Sequence, residues 1–291
     1  AAAGLMRGLS LDQLCNAFGI AAALLPVCPF VSFVEGADTK DLYGGWGVHL
    51  AMFAVDAAQR GLTGAEHVLD GIKSLNTVFQ GDAGKEIALG EPYLINWLSI
   101  KQYPACFAVN PAVNAAFALQ EKYNIDTAEI ESVLVDSYPY SYDLNNGVGR
   151  DPNTTSGRLS LYYTVAVALI ERSLTPDAFT AEKLKDPKYA ELRGKITAKR
   201  HDAYGDGPKG IRACILEVHM KDGRVYQTEY NATDVHVVYS DEMLYEKYCG
   251  LTRDALAPDQ QRDLYDYAMA LAKQENLSYL LNMMRRLPKI R

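Results

Sequence analysis

Two short segments combine charged side chains with residues that shape the backbone, and the first is Glu35–Gly47. Here an acid, Lys40 and a dense run of glycines lie between two apolar stretches. Glycine allows the backbone to pass close to another group, because no Cβ stands in the way. A lysine beside such a turn is suited to bind an anion. The alternative is a plain connection between helices, with Lys40 in solvent.

The second segment, Lys101–Pro111, ends in the pair Asn110-Pro111. Asparagine caps helices, and proline fits the first helical turn, where its missing N–H removes no hydrogen bond. A helix N-terminus with an amide side chain beside it can bind a carboxylate. The alternative is that Asn110 only caps its own helix.

Composition excludes several classes of protein. The chain has 291 residues, 48% of them hydrophobic, and a formal net charge of −7 without any basic stripe, so nucleic acid is not an expected partner. Its five cysteines lack metal-binding spacing, and no metal site is predicted. We find no signal peptide and no apolar run of membrane-spanning length. These features predict a cytoplasmic protein with reduced thiols and no membrane partner.

Hydrophobic periodicity predicts helices at both ends of the chain and a mixed block of helices and strands between them. Ser10 is expected to cap the first long helix, and Thr63 to cap a helix that carries Ile72. Asp222-Gly223, between two alternating runs, predicts a β-hairpin. Further predictions are helices over 49–60, 110–123, 159–172 and 181–192, the last interrupted near Pro187, a strand that begins at Ile130 and ends at Tyr138-Pro139, and loops over 81–90 and 143–157.

The two segments resemble the MmgE/PrpD family, which includes 2-methylcitrate dehydratases, cis-aconitate decarboxylases and iminodisuccinate epimerases. The family's E-G-x-D-T-K-x-L-x-x-G-x-A stretch is similar to Glu35–Gly47, and its K-x-Y/F-P-x-C/H-x-x-x-H-P stretch to Lys101–Pro111. Its R-x-S-x-x-Y segment is similar to Arg158, Ser160 and Tyr163. Three motifs in the same order and with similar spacing identify the chain as a member.

The resemblance implies a mainly α fold with an α+β insertion. Both chain ends, 1–100 and 241–291, would form an all-helical domain, and 101–240 a smaller α+β lid domain. The active site would lie between the domains and use neither a metal nor an organic cofactor. The family is usually dimeric, which implies a homodimer.

The resemblance also assigns roles to individual residues. Lys40 and Arg158 would bind substrate carboxylates, Lys40 being also able to move a proton, and Tyr163 would donate a proton or a hydrogen bond. The alternatives are structural: a solvated Lys40, a core Tyr163, and Arg158 paired with an acid. Asn110 would hydrogen-bond the substrate. Three further residues are expected to contact it: Asp38, Tyr43 and Ser160.

The chain departs from the family pattern at Asn110 and Tyr43, where relatives often have histidine. Asparagine cannot shuttle protons near neutral pH. None of the five histidines stands at a transferable catalytic position, and His49, just past the glycine run, is only a weak candidate. The family's Asp and two His from its N-terminal half have no counterpart after Ala1. We expect a further segment or a partner chain to supply them.

The predicted function is therefore a cofactor-independent lyase that dehydrates a small di- or tricarboxylate such as 2-methylcitrate. Removing the weakly acidic hydrogen beside a carboxylate needs a base, and cations stabilise the charge that develops. One alternative is an epimerase or a decarboxylase acting on a related polycarboxylate. Another is a non-catalytic or split-gene subunit that needs a partner chain.

Overall fold

Helices dominate the chain, and a small four-stranded sheet interrupts them. The computed structural model describes residues 1–29, 31–70, 72–79, 90, 93–98, 100–146, 153–205, 210–232 and 239–286. The chain divides into two compact units, Ala1–Thr233 and Asp234–Arg291. A mainly α chain with an α+β portion is confirmed, whereas the three-part domain arrangement stays a prediction. Of the predicted loop 81–90, only Gly90 lies within the described residues.

The first unit opens with helices that pack around α2 and α4. Ser10 caps α2 as predicted, and Gln13 completes a capping box. Ala17 and Ile20 of α2 form a small core with Ala54 and Ala58 of α4. The helices are α1 (Ala2–Met6), α2 (Leu11–Ala23), α3 (Val31–Val34), α4 (Thr39–Gln59) and α5 (Leu75–Val78).

Two predictions for this region are wrong. The glycines Gly44, Gly45 and Gly47 lie inside α4 rather than in a turn, so the helix predicted from His49 begins at Thr39. Only Gly36, before the helix, has the left-handed φ of a turn glycine, at +71°. Thr63 caps no helix, because the residues after it form turns. Its apolar neighbours are too few and too exposed to stabilise a helix.

The α+β portion of the first unit contains a four-stranded sheet of order β2-β1-β3-β4. Strand β1 is parallel to β2, and the other pairs are antiparallel. The predicted hairpin is confirmed, and Gly223 takes φ +86° in its turn. Sequence reasoning missed β2, a short and largely polar strand. The strands are β1 (Ile130–Ser137), β2 (Ile196–Arg200), β3 (Ala213–Met220) and β4 (Val225–Asn231).

The predicted loop 143–157 contains the end of one helix and the whole of another. The predicted interruption near Pro187 is confirmed, since a helix ends at Lys185 and the next begins at Pro187. The helices of this portion are α6 (Asn110–Tyr123), α7 (Pro139–Asn145), α8 (Thr154–Gly157), α9 (Leu161–Glu171), α10 (Ala181–Lys185) and α11 (Pro187–Gly194).

Helices α6 and α9 run parallel over one face of the sheet. At their N-terminal ends the Cys106 N–H donates to the Arg158 carbonyl at 2.7 Å. At their C-terminal ends Arg172 donates to the Asn124 side chain. Apolar side chains of both helices and of β1, β2 and β3 form the main core. Both helix N-termini therefore lie at one end of this core.

The second unit is helical, as predicted. The Gln261 side chain joins its first two helices by donating to the Cys249 carbonyl at 3.0 Å. The unit contains α12 (Asp241–Thr252), α13 (Pro258–Met269) and α14 (Ser278–Arg286). Across the described part of the whole chain, none of the helices has both the length and the apolar character needed to cross a membrane.

Candidate functional site

Several segments meet at the N-terminal end of the α6–α9 pair. The Cys106 N–H donates to the Arg158 carbonyl, which joins the second and third motif segments. The Asn145 Nδ2 donates to the Leu159 carbonyl at 2.6 Å, so the end of α7 also lies here. Helix α7 also packs against Phe107–Val109, a short 3₁₀ helix that immediately precedes α6. The fold thus brings residues distant in sequence to one place.

The glycine segment docks onto α8, immediately before Arg158. Asn153 Nδ2 donates to the Gly36 carbonyl at 3.1 Å, and the Thr155 hydroxyl donates to Asp38 Oδ1 at 2.7 Å. A Cβ on Gly36 would stand 2.4 Å from the Cβ of Ser156. Only glycine permits this approach, since real Cβ atoms do not come so close. The expected close approach is therefore made by Gly36 and not by the glycines of α4.

Among the described residues, ten buried side-chain polar atoms have no hydrogen-bond partner, and four of them belong to the segments that meet here. Within the described residues, no hydrogen bond reaches Asn110 Oδ1, Ser141 Oγ, Asn145 Oδ1 or Arg158 Nε. Leaving such an atom unpaired costs about 1–3 kcal/mol, so native proteins rarely tolerate it without a reason. The four atoms comprise one N–H donor, two carbonyl acceptors and one hydroxyl. A carboxylate oxygen can accept from the donor, and a hydroxyl can donate to the acceptor oxygens.

The electrostatics of this end favour an anion. A helix carries partial positive charge at its N-terminus, and α6 and α9, of 14 and 11 residues, present theirs together. Arg158 adds a full positive charge, and its guanidinium lies 5.9 Å from the centre of the Phe179 ring. Asn110 is the first residue of α6 and does not cap it, because Val109 occupies the cap position. Its amide oxygen is thereby left for another partner.

Lys40 is the second residue of α4 and is half-buried. The backbone N–H of Lys40 donates to the Ala37 carbonyl, and the backbone N–H of Asp41 donates to the Asp38 carbonyl. Lys40 therefore belongs to the turn that docks onto α8. The Asp38 carboxylate accepts from Thr155. The Tyr43 hydroxyl donates to the Pro29 carbonyl at 3.2 Å. The described contacts of Asp38 and Tyr43 thus anchor this segment, and their predicted contacts with substrate remain predictions.

Tyr163 and Ser160 have the contacts of structural residues. Tyr163 is fully buried, and its hydroxyl donates to the Ala178 carbonyl. Burial raises the pKa of the Tyr163 phenol above its ordinary value of 10.0. The Ser160 side chain caps α9 by accepting from the Tyr163 N–H at 3.2 Å. The motif gives the position of Tyr163 in the sequence, but it does not reveal that the hydroxyl of this residue is buried in the core.

Of the histidines that the structure describes, none is hydrogen-bonded to the residues of this arrangement. His49 is exposed on α4 and stacks on Trp46 at 5.3 Å. His201 lies after β2, where its Nδ1 is 2.9 Å from the Asp136 carboxylate. Within the described ranges, no group of three or more His, Cys, Asp or Glu side chains is arranged to hold a metal ion.

Sequence reasoning missed four residues of the site: Ser141, Asn145, Asn153 and Thr155. Pro139 could have indicated α7, because proline favours the first turn of a helix. Asn153, followed by Ser156, matches the capping-box pattern that α8 uses. The many Asn, Asp, Gly, Pro and Ser residues of the segment 143–157 instead indicated a loop.

Comparison with known protein families identifies a relationship. The family profile described as the MmgE/PrpD C-terminal domain matches residues 103–273, a stretch that covers more than half of the chain. No curated protein matches the chain significantly.

Proposed function

Since the chain belongs to the MmgE/PrpD family, we propose that it is a hydro-lyase acting on a small hydroxy-carboxylate such as 2-methylcitrate, without a metal or organic cofactor. The family includes hydro-lyases, which supports an enzyme of this kind. The particular substrate and the reaction are our proposal.

One observation carries the proposal: the unpaired polar atoms on α7, α6 and the segment before α9, which meet at one end of the core. Arg158 Nε can donate to a carboxylate oxygen, and the oxygens of Asn110, Ser141 and Asn145 can accept from a hydroxyl. A hydroxy-carboxylate supplies both kinds of group. The positive helix ends favour its negative charge.

In the proposed reaction, Lys40 and Arg158 bind substrate carboxylates. Removal of the hydrogen beside a carboxylate then places negative charge next to these cations. Groups aimed at such developing charge contribute about 3–4 kcal/mol to the transition state. Asn110 has no titratable group, so we assign proton transfer to other residues. As an ammonium group, Lys40 can donate a proton to the hydroxyl that leaves as water. We assign the base that removes the hydrogen beside the carboxylate to a further segment or a partner chain.

An exposed apolar surface favours a second candidate, a subunit that works with a partner chain. Phe18 on α2 and Leu42, Trp46, Val48 and Phe53 on α4 expose about half or more of their surface. An apolar cavity of about 400 Å³ lies between the same helices. Phe18 and Val48 line this cavity, and large exposed apolar patches are typical of interfaces.

The proposal is tested with purified protein and 2-methylcitrate, citrate and related carboxylates, followed by NMR in deuterated water. Loss of water identifies a dehydratase, exchange without loss an epimerase, and carbon dioxide a decarboxylase. Lys40→Ala should lower kcat/KM by about 10²–10³-fold, while Lys185→Ala, an exposed lysine on α10, should not. Wild-type turnover in Lys40→Ala would remove this lysine from the mechanism. An inert chain that gains activity with a partner chain supports the second candidate.

A further inference from the structure

We propose that Asn153 and Thr155 are positioning residues that set the spacing between Lys40 and Arg158, and through it the length of carboxylate the site accepts. The inference deepens the proposed function and rests on it. Neither residue belongs to the three motif segments. We call the group formed by Gly36, Asp38, Asn153 and Thr155 the clasp.

The clasp joins two segments that lie more than a hundred residues apart in sequence. Asn153 uses both ends of its amide. Its Oδ1 accepts from the Thr155 and Ser156 N–H groups at 3.0 and 2.8 Å, and its Nδ2 donates to the Gly36 carbonyl. The Thr155 hydroxyl adds the bond to Asp38. Because the oxygen and the nitrogen of the Asn153 amide are both hydrogen-bonded, a shift of either segment breaks a hydrogen bond.

The backbone of each cationic residue is hydrogen-bonded to its own side of the clasp. Lys40 follows Asp38 by two residues and belongs to the same hydrogen-bonded turn, in which the Ala37 N–H also donates to the Ser32 carbonyl. Arg158 follows Thr155 by three residues, and the N–H groups of Leu159 and Ser160 donate back to the Ser156 carbonyl. A change at the clasp therefore moves the backbone of one cation relative to the other.

Packing limits the freedom of the clasp further. Gly36 and Thr155 are buried, whereas Asp38 and Asn153 are exposed, and a Cβ on Gly36 would stand 2.4 Å from the Cβ of Ser156. Preorganised sites depend on such supporting residues, since small displacements of binding groups lower affinity and rate. If Lys40 and Arg158 are held at a fixed separation, they bind most tightly the di- or tricarboxylate whose carboxylates are that far apart.

Three variants test the inference. Thr155→Val removes the hydroxyl at nearly constant volume. Asn153→Asp keeps the cap acceptor of α8 and removes the donor to Gly36. Thr154→Val makes the same chemical change at the neighbouring exposed position of α8 and serves as the control.

The first measurement is amide hydrogen exchange of residues 36–41, which needs no ligand. Exchange should be faster in Thr155→Val and Asn153→Asp than in the wild type and Thr154→Val. Unchanged exchange in both clasp variants would overturn the inference, because the segment would then be held by other contacts.

The second measurement is calorimetric binding of citrate in a double-mutant cycle with Lys40→Ala. Thr155→Val should weaken citrate binding about tenfold in the wild-type background and hardly at all once Lys40 is absent. Equal effects in both backgrounds would show a merely structural role and overturn the inference, as would a wild-type protein that binds no citrate. Citrate binding without turnover of any carboxylate would contradict the proposed function alone.

Discussion

At the scale of single residues, Gly36 combines two constraints that can be separated. Its φ of +71° is unfavourable for other residues by roughly 1–2 kcal/mol. Its approach to Ser156 excludes a Cβ as well. Gly8 shares the φ constraint, at +67°, but has nothing within 4 Å of a Cβ. The two glycines therefore form a matched pair.

We expect Gly36→Ala to lower the free energy of unfolding by clearly more than Gly8→Ala, which should cost only about 1–2 kcal/mol for the φ strain. Urea denaturation of both variants measures the difference. Equal losses would mean that the contact with Ser156 relaxes without cost, and that the clasp is looser than its distances indicate.

Ser141 and Ser160 are both fully buried, yet their substitution by alanine should have opposite effects. Ser141 Oγ has no partner within the described residues, and removing an unpaired buried hydroxyl relieves a cost of about 1 kcal/mol or more. Ser160 caps α9, and its loss should cost about 0.5–2 kcal/mol. Thermal or urea denaturation checks the sign. If Ser141 binds substrate, Ser141→Ala gains stability and loses affinity for citrate together.

Tyr163→Phe decides between the role that the resemblance implies and the role that the structure shows. The variant leaves the buried Ala178 carbonyl without its donor, at a cost of about 1–3 kcal/mol. We expect this loss of stability with kcat unchanged. A kcat reduced a hundredfold or more in a folded variant would restore Tyr163 as a proton donor.

At the scale of elements, α4 contains three glycines where a helix would prefer other residues. Nothing lies within 4 Å of a Cβ built on Gly44 or Gly45. Alanine there should raise the free energy of unfolding by about 0.5–1 kcal/mol per site, because glycine is a poor helix former. Circular dichroism during urea denaturation measures this. A loss of stability would show that the space is occupied in the folded protein.

The C-terminal end of α9 is tied to α11 through Glu171. Hydrogen bonds from Lys188 Nζ, at 2.8 Å, and from the Tyr189 hydroxyl lower the pKa of the Glu171 carboxyl below its ordinary value of 4.5. A lowered folded-state pKa stabilises the protein above the unfolded-state value, and this stability is lost as the pH falls through the folded-state pKa.

Glu171→Gln should therefore cost about 0.5–1 kcal/mol at neutral pH, since the pair with Lys188 is partly exposed. Its difference from the wild type should shrink as the pH falls below about 4.5. Urea midpoints measured against pH test this. A difference that stays constant down to the acid transition would mean that the charge of Glu171 contributes nothing.

At the scale of the whole molecule, the two units differ in the size of their cores. Among the described residues, the main core of the first unit contains thirty buried side chains around α6, α9 and the sheet. In the second unit, the described residues 239–286 include only two buried ones, Leu256 and Gln261. Small cores stabilise helices weakly. Hydrogen exchange should therefore be faster in α12–α14 than in α6 and α9, and equal protection would contradict this.

The parts of the fold that depend on neighbouring residues could be predicted from the sequence. Asp222-Gly223 determines its hairpin, because few residues other than glycine adopt the φ that the turn requires. Ser10 and Gln13 determine the start of α2 through their reciprocal capping bonds. The three motifs identified the family. All of these features depend on residues that are close together in the sequence.

Only the tertiary structure decided which polar atoms are buried and which residues meet. Tyr163 points into the core, whereas Asn110 keeps an unpaired oxygen, and both begin as polar side chains near helix starts. The meeting of Gly36 with Ser156 and of Asp38 with Thr155 depends on packing between segments far apart in the chain. Sequence patterns record the preferences of a residue for its neighbours along the chain, but long-range contacts depend on how whole elements pack.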